Sequence, residues 1–318
     1  MRALVTGVAG HLGEALAQTL TECGDEVVGV DRLASNYVSH RGDIADKDLI
    51  ARAMAGVDVV FHVATLHKPH VTSHSWQAFI DTNITGTSVL LDAAISAGVR
   101  AFVFTSTTSV FGNAMEAPAG APAIWVHEDL PPKPRNIYGV SKLAAEGLCG
   151  LARRESGLAT IILRTSRFFP EEDDDPTVSA VWAADNVKLN EFLYRRADIE
   201  DVAQAHLLAG ERAVEAGPGP FIISATTPFD REDLAGLATD APRVLALRIP
   251  EHGPIFARKG WRMFPTIGRV YDNTLARGAL EWTPKHDFRS MLERVSDGGS
   301  PTSELASAVG AKGYHRAA

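Results

Sequence analysis

A glycine-spaced turn near the start of the chain constrains its fold more than any other stretch. Residues 3–5 form a short apolar run that predicts a buried strand, and residues 14–20 have the pattern of a helix. Gly7, Gly10 and Gly13 allow a tight turn, close approach of backbone to a ligand, and close packing of the helix on the strand. Because a helix N-terminus offers N–H groups and a partial positive charge, this order indicates a dinucleotide-binding unit.

The composition narrows the class of protein and its partners. A chain of 318 residues with 45% apolar and 22% charged residues is typical of a globular protein with one large domain or a domain and a half. The net charge of −8 argues against nucleic-acid binding as its main task. Cys23 and Cys149 do not suggest a disulfide framework, and no apolar run is long enough to span a membrane. A buried strand at residue 2 argues against a signal peptide, so we expect a cytoplasmic enzyme.

The second predicted strand, over residues 26–30, ends at an acidic residue, Asp31. In a dinucleotide-binding unit, a carboxylate at the end of the second strand accepts hydrogen bonds from the 2′-hydroxyl of an adenosine ribose and repels a 2′-phosphate. The sequence therefore favours NAD over NADP as the cofactor.

Asp43 and Ile44 follow a short connection and leave two interpretations open. Asp43 can hydrogen-bond an adenine amine while Ile44 lies against the ring, or Asp43 can N-cap a helix over residues 48–55. His62, near the end of the next predicted strand (57–64), is interpreted as a core histidine rather than a catalytic one.

Three histidines, His67, His70 and His74, come close together after that strand. Imidazoles at such spacings can bind zinc, but no cysteine or convincing carboxylate partner lies nearby in the sequence. We therefore predict no metal site, and we place this segment in a loop on the nicotinamide side of the cofactor.

The middle of the chain predicts a helix, a strand and a loop. A long helix is expected over residues 76–97, interrupted at Asn83 and Gly86. The next buried strand leads into a hydroxyl-rich segment, 105–109, and residues 113–135 are expected to form a long loop.

Tyr138 and Lys142 lie four residues apart on a helix predicted over residues 138–155, so they share one face. A phenol acts as a base near neutral pH only if its anion is stabilised, and a neighbouring ammonium group lowers its pKa. A hydroxyl from residues 105–109 can then orient the substrate oxygen. With hydride transfer to a nicotinamide cofactor, this set is suited to alcohol–ketone redox chemistry.

The last part of the chain has weaker patterns. The acidic run 171–175 is interpreted as a solvated loop, and a helix is expected over residues 271–280. From residue 296 the Gly, Ser and Ala content predicts a loosely held tail.

Taken together, these motifs resemble the extended short-chain dehydrogenase/reductases of the NAD-dependent epimerase/dehydratase family. The resemblance extends over about residues 1–290 and rests on motifs in family order: the Gly7–Gly10–Gly13 turn, Asp31, Gly42-Asp43, His62-Val-Ala64, Asn83-x-x-Gly86-Thr87, residues 105–112, Tyr138-x-x-x-Lys142, Arg164 and residues 198–203.

The resemblance implies an α/β fold, a Rossmann-type doubly wound parallel sheet with a smaller C-terminal substrate-binding lobe. The NAD-binding domain would comprise residues 1–165, with residues 198–225 returning to it. Residues 166–197 and 226–290 would form the substrate lobe, and residues 296–318 the tail. The family also implies a homodimer formed through the helices at 76–97 and 138–155.

The resemblance also assigns roles to single residues. Tyr138 would be the general acid/base, Lys142 its partner, and Thr107 the hydroxyl that contacts the reacting oxygen. The implied cofactor-binding residues are Gly7, Gly10, His11, Leu12, Gly13, Asp31, Asp43, Ile44, Ala64, Asn83, Thr105, Tyr138 and Lys142.

Several positions depart from the family pattern. Thr108 and Ser109 replace the Asp-Glu pair of sugar-nucleotide dehydratases, which disfavours dehydration. Arg167 replaces an Asn that helps to hold a nucleotide diphosphate, and Tyr194 falls where the family has a diphosphate-binding Arg. An anionic or smaller substrate therefore remains open. The candidate substrate-contacting residues are His67, Thr107, Arg167 and Arg195, the last with Arg196 beside it.

These observations leave three hypotheses for the function. The first is epimerisation of a sugar derivative, and the second is NAD-dependent oxidation or reduction of a smaller hydroxy or keto substrate. The third is a non-catalytic NAD-sensing protein, which the presence of Tyr138, Lys142 and Thr107 disfavours.

Overall fold

A computed structural model describes residues 1–171, 178 and 180–313. Seven of its strands form one parallel sheet in the order β3-β2-β1-β4-β5-β7-β8, and β6 pairs with β9 in a separate two-stranded parallel sheet. The strands are Arg2–Thr6 (β1), Glu26–Asp31 (β2), His40–Arg41 (β3), Val59–His62 (β4), Ala101–Thr107 (β5), Ile124–Val126 (β6), Ala159–Thr165 (β7), Phe221–Ile223 (β8) and Arg269–Tyr271 (β9).

Helices cover both faces of the sheet and build the smaller lobe. They are His11–Glu22 (α1), Lys47–Ala53 (α2), Trp76–Phe79 (α3), Gly86–Ala97 (α4), Ile137–Ser156 (α5), Ala184–Glu191 (α6), Ile199–Glu211 (α7), Leu234–Leu237 (α8), Ala241–Arg248 (α9), His252–Lys259 (α10), Thr274–Leu280 (α11), Phe288–Ser296 (α12) and Glu304–Val309 (α13). A π-helical turn, Ile80–Thr85, joins α3 to α4, so the predicted interruption at Asn83 is a change of helical pitch.

The sheet separates two hydrophobic clusters because successive side chains of a strand point to opposite faces. Val5 packs on one face with α1 and α7, and Leu4 packs on the other with α2, α4 and α5. The prediction of a doubly wound parallel sheet is confirmed. Because all seven strands run parallel, their carboxyl ends meet at one edge, where the functional residues of such sheets lie.

A third cluster forms the core of the smaller lobe, where α6, α9, α10 and α12 pack around Phe192, Phe256 and Phe288. Residues 221–223 join the main sheet beside β7, with Leu163 opposite Phe221. None of the described helices is long and apolar enough to cross a membrane.

The structure corrects the predicted C-terminal tail. The segment after residue 296 forms α13, and Ala306 and Val309 belong to the hydrophobic cluster that includes α1. The expectation of a loosely held tail is therefore wrong for residues 296–313, because small residues such as alanine pack closely between helices. Residues 314–318 lie outside the described part, as do positions 172–175 of the acidic run.

Two further predictions of secondary structure hold only in part. The helix predicted over residues 271–280 is confirmed for Thr274–Leu280, but Tyr271 ends strand β9, and the predicted loop 113–135 contains strand β6. The two strands stabilise each other, with Ile124 opposite Arg269, so neither could be recognised from its own short segment.

Candidate active site

The glycine turn after β1 has the geometry that its spacing predicts. Gly7 has a φ of +70°, and a Cβ added there would lie 2.8 Å from Ala64 Cα. A Cβ on Gly13 would lie 2.0 Å from the carbonyl oxygen of Gly7. Gly10 precedes α1 and donates its N–H to the carbonyl oxygen of Gly7 at 3.0 Å. The turn is thus a compact cradle at the start of α1, with the His11 and Leu12 amides in the first helical turn.

Asp31 stands beside this turn at the end of β2. Its Oδ2 accepts the N–H of Ala9 at 2.9 Å, and its Oδ1 accepts the N–H of Leu33 at 2.9 Å. Arg32 is turned toward Asp43, 3.9 Å away, and both of these side chains are exposed. The carboxylate of Asp31 is therefore fixed next to the glycines by backbone groups.

The alternative role of Asp43 as a helix cap is wrong. Asp46 caps α2, because its carboxylate accepts the N–H groups of Asp48 and Leu49. Asp43 instead accepts the N–H of Ala45 at 2.9 Å. Ile44 is buried against Gly86, where an added Cβ would lie 2.5 Å from its Cδ1 atom.

His62 is a hydrogen-bonded core residue. The Thr87 hydroxyl donates to Asn83 O, so it accepts from His62 Nε2 at 2.9 Å. The Thr6 hydroxyl accepts the N–H groups of Val63 and Ala64, which leaves it to donate to His62 Nδ1 at 2.8 Å. Burial, together with the charge of Lys142, holds the pKa of His62 well below its usual range, so the ring is neutral.

Asn83 links the loop after β4 to α5. Its Oδ1 accepts the Thr65 hydroxyl and the Leu66 N–H, and its Nδ2 donates to Leu66 O and to Ser141 Oγ. Because this side chain is buried and uses both polar atoms, it fixes the loop that contains Ala64.

Tyr138 and Thr107 meet at the carboxyl edge of the sheet. Asn136 caps α5 by accepting the N–H of Gly139, and this places Tyr138 in the first turn of the helix. The Tyr138 hydroxyl lies near Thr107 at the end of β5, close enough for the Thr107 side chain to influence its pKa. Burial raises the pKa of Tyr138 to about 12, although the Thr107 side chain acts in the opposite direction.

Lys142 lies one turn below Tyr138 and is 2% exposed. Its Nζ is 4.0 Å from the centroid of the Phe104 ring, an arrangement in which the ring face attracts the ammonium group. Burial lowers the pKa of Lys142 to about 7, although Cys149 and Glu146 favour the charged form. The structure therefore brings together the three predicted catalytic residues, Thr107, Tyr138 and Lys142.

A buried carboxylate, Glu146, lies one further turn along α5. Arg164 on β7 donates to both of its oxygens, from Nε at 3.0 Å and from Nη2 at 2.7 Å. The Ser106 hydroxyl donates to Oε1 at 2.5 Å. Glu146 was not predicted from the sequence, although its position four residues after Lys142 places both on one helix face.

Thr105 lies on the other side of β5 from Ser106. Its hydroxyl is 2.8 Å from His206 Nε2, and His206 Nδ1 donates to Val202 O. Burial lowers the pKa of His206 to about 4, so this ring is neutral and accepts the Thr105 hydroxyl. The hydroxyl of Thr105 is thus directed toward α7 rather than toward Tyr138.

A second buried carboxylate, Glu191, is surrounded by arginines in the smaller lobe. Arg195 Nη2 and Arg196 Nη1 lie 2.5 and 2.7 Å from its oxygens, and Arg167 Nε lies 3.6 Å away. Burial alone would raise the pKa of Glu191, but the three guanidinium groups outweigh it and lower that pKa. Arg167 and Arg195, both predicted from the sequence, are therefore neighbours, and Glu191 was missed because its segment has no recognised motif.

The three neighbouring histidines form a chain of ring contacts. The His67 and His70 centroids are 4.5 Å apart, and those of His70 and His74 are 5.1 Å apart. His67 also stacks on Phe169 at 5.3 Å. Within the described ranges, the group with three metal-type ligand atoms close together lies elsewhere and consists of Asp198, Glu200 and His286.

Comparison with known proteins agrees with this arrangement. Residues 3–223 match the model of the NAD dependent epimerase/dehydratase family. A UDP-glucose 4-epimerase of Azospirillum brasilense is 33% identical over 94% of this chain and 95% of its own length. A 3-beta-hydroxysteroid dehydrogenase of Mycolicibacterium neoaurum is 29% identical over 69% of this chain and 63% of its own length. With two other relatives the match covers only 49% and 40% of their length.

The solved structures show a similar fold. The crystal structure of a UDP-glucose 4-epimerase from Thermotoga maritima, with UDP-glucose, superposes with a TM-score of 0.66 at 24% identity. The superposition covers 93% of this chain and 98% of the T. maritima chain. The family match spans the glycine turn, the Tyr138–Lys142 pair and the parallel sheet. This chain belongs to the NAD dependent epimerase/dehydratase family.

Proposed function

We propose that this chain is an NAD-dependent enzyme that interconverts a secondary alcohol and a ketone, with Tyr138 as the general acid/base. The observation that carries the proposal is the buried grouping of Tyr138 and Thr107 at the carboxyl edge of the sheet, with Lys142 one turn below. Two hydroxyl groups at the carboxyl edge of the sheet can hold one substrate oxygen between them. Tyr138 then exchanges a proton with that oxygen while Thr107 orients it.

The charges around Tyr138 determine which proton transfer it can perform. With its pKa raised to about 12, Tyr138 is a neutral phenol that can donate a proton to a ketone oxygen. For the reverse direction its anion must be stabilised by positive charge nearby. Lys142, with a pKa of about 7, can carry such a charge near neutral pH and release its proton as conditions change.

The glycine turn and Asp31 fit a dinucleotide cofactor. A side chain at Gly7 or Gly13 would fill the cradle, and the first amides of α1 offer donors for a pyrophosphate. Asp31 would hold the adenosine ribose, and Ile44 would lie on the adenine side. A bound oxidised nicotinamide would supply the hydride acceptor and a positive charge near Tyr138.

We further propose that the substrate is a sugar derivative with an anionic group and that the reaction is an epimerisation. The A. brasilense relative, which is matched over nearly its full length, is a UDP-glucose 4-epimerase. Arg167 and Arg195 border Glu191 at the smaller lobe, and arginine binds phosphate or carboxylate through paired N–H groups. His67 would lie on the nicotinamide side of this substrate.

The fate of the hydride distinguishes epimerisation from net oxidation. An epimerase must return the hydride to its own substrate and keeps the cofactor bound, whereas a dehydrogenase releases it in each turnover. The protein should therefore contain NAD after purification and convert UDP-glucose without accumulating free NADH. Stoichiometric NADH in solution would support the alternative, a dehydrogenase for a smaller non-nucleotide substrate, which the hydroxysteroid dehydrogenase relative favours.

We also propose that the chain forms a homodimer through α3, α4 and α5. Apolar side chains are exposed along these helices at Trp76 (74%), Val140 (48%), Ile95 (39%) and Leu151 (39%), and at Ile80 (37%) in the turn between α3 and α4. Light scattering should give twice the monomer mass, and Trp76→Glu should shift it toward the monomer. A monomeric mass for the unmodified protein would contradict this assembly.

The cytoplasm is the location that we propose. Cys23 is exposed and Cys149 is buried, and both are free thiols, as is usual in a reducing compartment.

A further inference from the structure

A short C-terminal segment, residues 310–313, crosses the first turn of α1 beside the glycine turn. The backbone N–H of Lys312 donates to Glu171 Oε1 at 2.9 Å, and the Lys312 ammonium is 2.5 Å from Glu14 Oε2. His11 Nε2 lies 2.8 Å from the same Glu171 oxygen. His11 and Glu14 are three residues apart and share one face of α1, so both the C-terminal segment and Glu171 hold this face.

The C-terminal segment reaches α1 from a firmly anchored helix. The N–H and hydroxyl of Ser303, which caps α13, donate to Asp198 at 2.9 and 2.6 Å. Ala306 and Val309 are 7% and 5% exposed and pack in the cluster that includes α1. The position of Lys312 is therefore set by the packing of α13 against α1 and by the hydrogen bonds of its cap to Asp198.

His11 connects this contact to the nicotinamide side of the site. It is 1% exposed, and its ring lies edge-on to Phe169 with centroids 5.4 Å apart. Phe169 in turn stacks on His67. Burial alone would raise the pKa of Glu171, but His11 and the Lys312 N–H outweigh it and lower the pKa to about 2, so the carboxylate is charged.

We propose that Glu171 and the C-terminal segment 310–313 are positioning elements for the dinucleotide, which fix His11 and so slow the exit of the cofactor. His11 is the first residue of α1, and its backbone lies in the turn that would face the pyrophosphate. Fixing its side chain from two sides restrains that turn, and the turn must loosen for a bound dinucleotide to leave. This inference rests on the proposed binding of NAD at the glycine turn.

The test compares dissociation of NADH, followed by its fluorescence, from the full chain and from two pairs of variants. A chain that ends at Gly310 lacks Lys312, whereas a chain that ends at Gly313 keeps it. Glu171→Gln removes the central charge, and Glu155→Gln, on the exposed end of α5, is the matched control. We expect dissociation about tenfold faster for the chain ending at Gly310 and for Glu171→Gln, since each loses charge-assisted hydrogen bonds.

The controls should release NADH at the rate of the full chain. Hydrogen exchange of the amides at residues 11–13 should also be faster in Glu171→Gln, a readout that does not depend on turnover. A dissociation rate within about twofold of the full chain for Glu171→Gln would overturn the inference, and this variant keeps α13 intact if truncation disturbs folding. If the full chain binds no NADH at all, the cofactor proposal itself fails instead.

Discussion

Two buried carboxylates, Glu146 and Glu191, have contrasting surroundings. Glu146 lies behind the catalytic face and is paired with Arg164 and Ser106, with Lys142 one helical turn away. Glu191 lies in the smaller lobe, where three guanidinium groups face it. The first cluster has one strong cation for its carboxylate and a lysine with a lowered pKa, whereas the second places three guanidinium groups around one carboxylate.

The two clusters differ in how neighbouring charges balance the carboxylate. Around Glu146 the charges are closely matched, so the cluster fixes α5 against β5 and β7 and keeps Lys142 in place below Tyr138. Around Glu191 one buried carboxylate keeps three guanidinium groups close together, so this cluster depends on its negative charge. The first cluster therefore positions Lys142 for the proton exchange that we propose, and the second positions the arginines that we propose to contact an anionic substrate group.

The largest expected effect comes from removing each carboxylate in turn. Glu191→Gln leaves three guanidinium groups close together and should lower the free energy of unfolding by about 4 kcal/mol. Glu146→Gln leaves Arg164 opposite a neutral amide and should cost about 3 kcal/mol. Denaturant unfolding measures both, with Glu155→Gln as the exposed control. Equal stability of Glu191→Gln and the unmodified protein would show that Glu191 does not stabilise the arginine cluster.

Lys142→Met should have a smaller effect of opposite sign on stability. Because burial lowers the pKa of Lys142 from 10.5 to about 7, the unfolded chain binds this proton more tightly, and stability should rise as the pH increases from 7 to 10.5. The methionine variant removes the cost of the buried charge and should be about 2 kcal/mol more stable at pH 7 while losing activity. Its stability should also lose that part of the pH dependence. A variant that is less stable than the unmodified protein at pH 7 would contradict this prediction, because it would show that the surroundings stabilise the charged form of Lys142.

Arg195→Gln should have the smallest of these effects and should affect the lobe alone. We expect KM for UDP-glucose to rise about tenfold, because a charge-assisted contact to an anion is lost. KM for an uncharged secondary alcohol and the affinity for NAD should stay unchanged. Arg258→Gln, an exposed arginine of α10, is the control. An equal rise of KM for both substrates would contradict a role of Arg195 in the recognition of an anion.

Features that lie within short segments could be predicted from the sequence, whereas contacts between distant segments could not. The turn at Gly7–Gly13 and the Tyr138–Lys142 pair lie within short segments, and their spacing alone determines which atoms can meet. Glu191 meets Arg167 through packing between distant segments, and Lys312 reaches His11 across nearly the whole chain. Such contacts depend on the assembled core. For the same reason the pairing of β6 with β9 was not predictable from either segment.

The most direct test of the central claim is single-turnover reduction of the bound cofactor, followed by nicotinamide absorbance, in the unmodified protein and in Tyr138→Phe. Both proteins should bind NAD equally, because the phenol oxygen is the only atom removed. With UDP-glucose, reduced nicotinamide should form in the unmodified protein and form at least about a thousandfold more slowly in Tyr138→Phe, since general acid/base catalysis is lost. Equal rates of reduction in the two proteins would contradict the role of Tyr138.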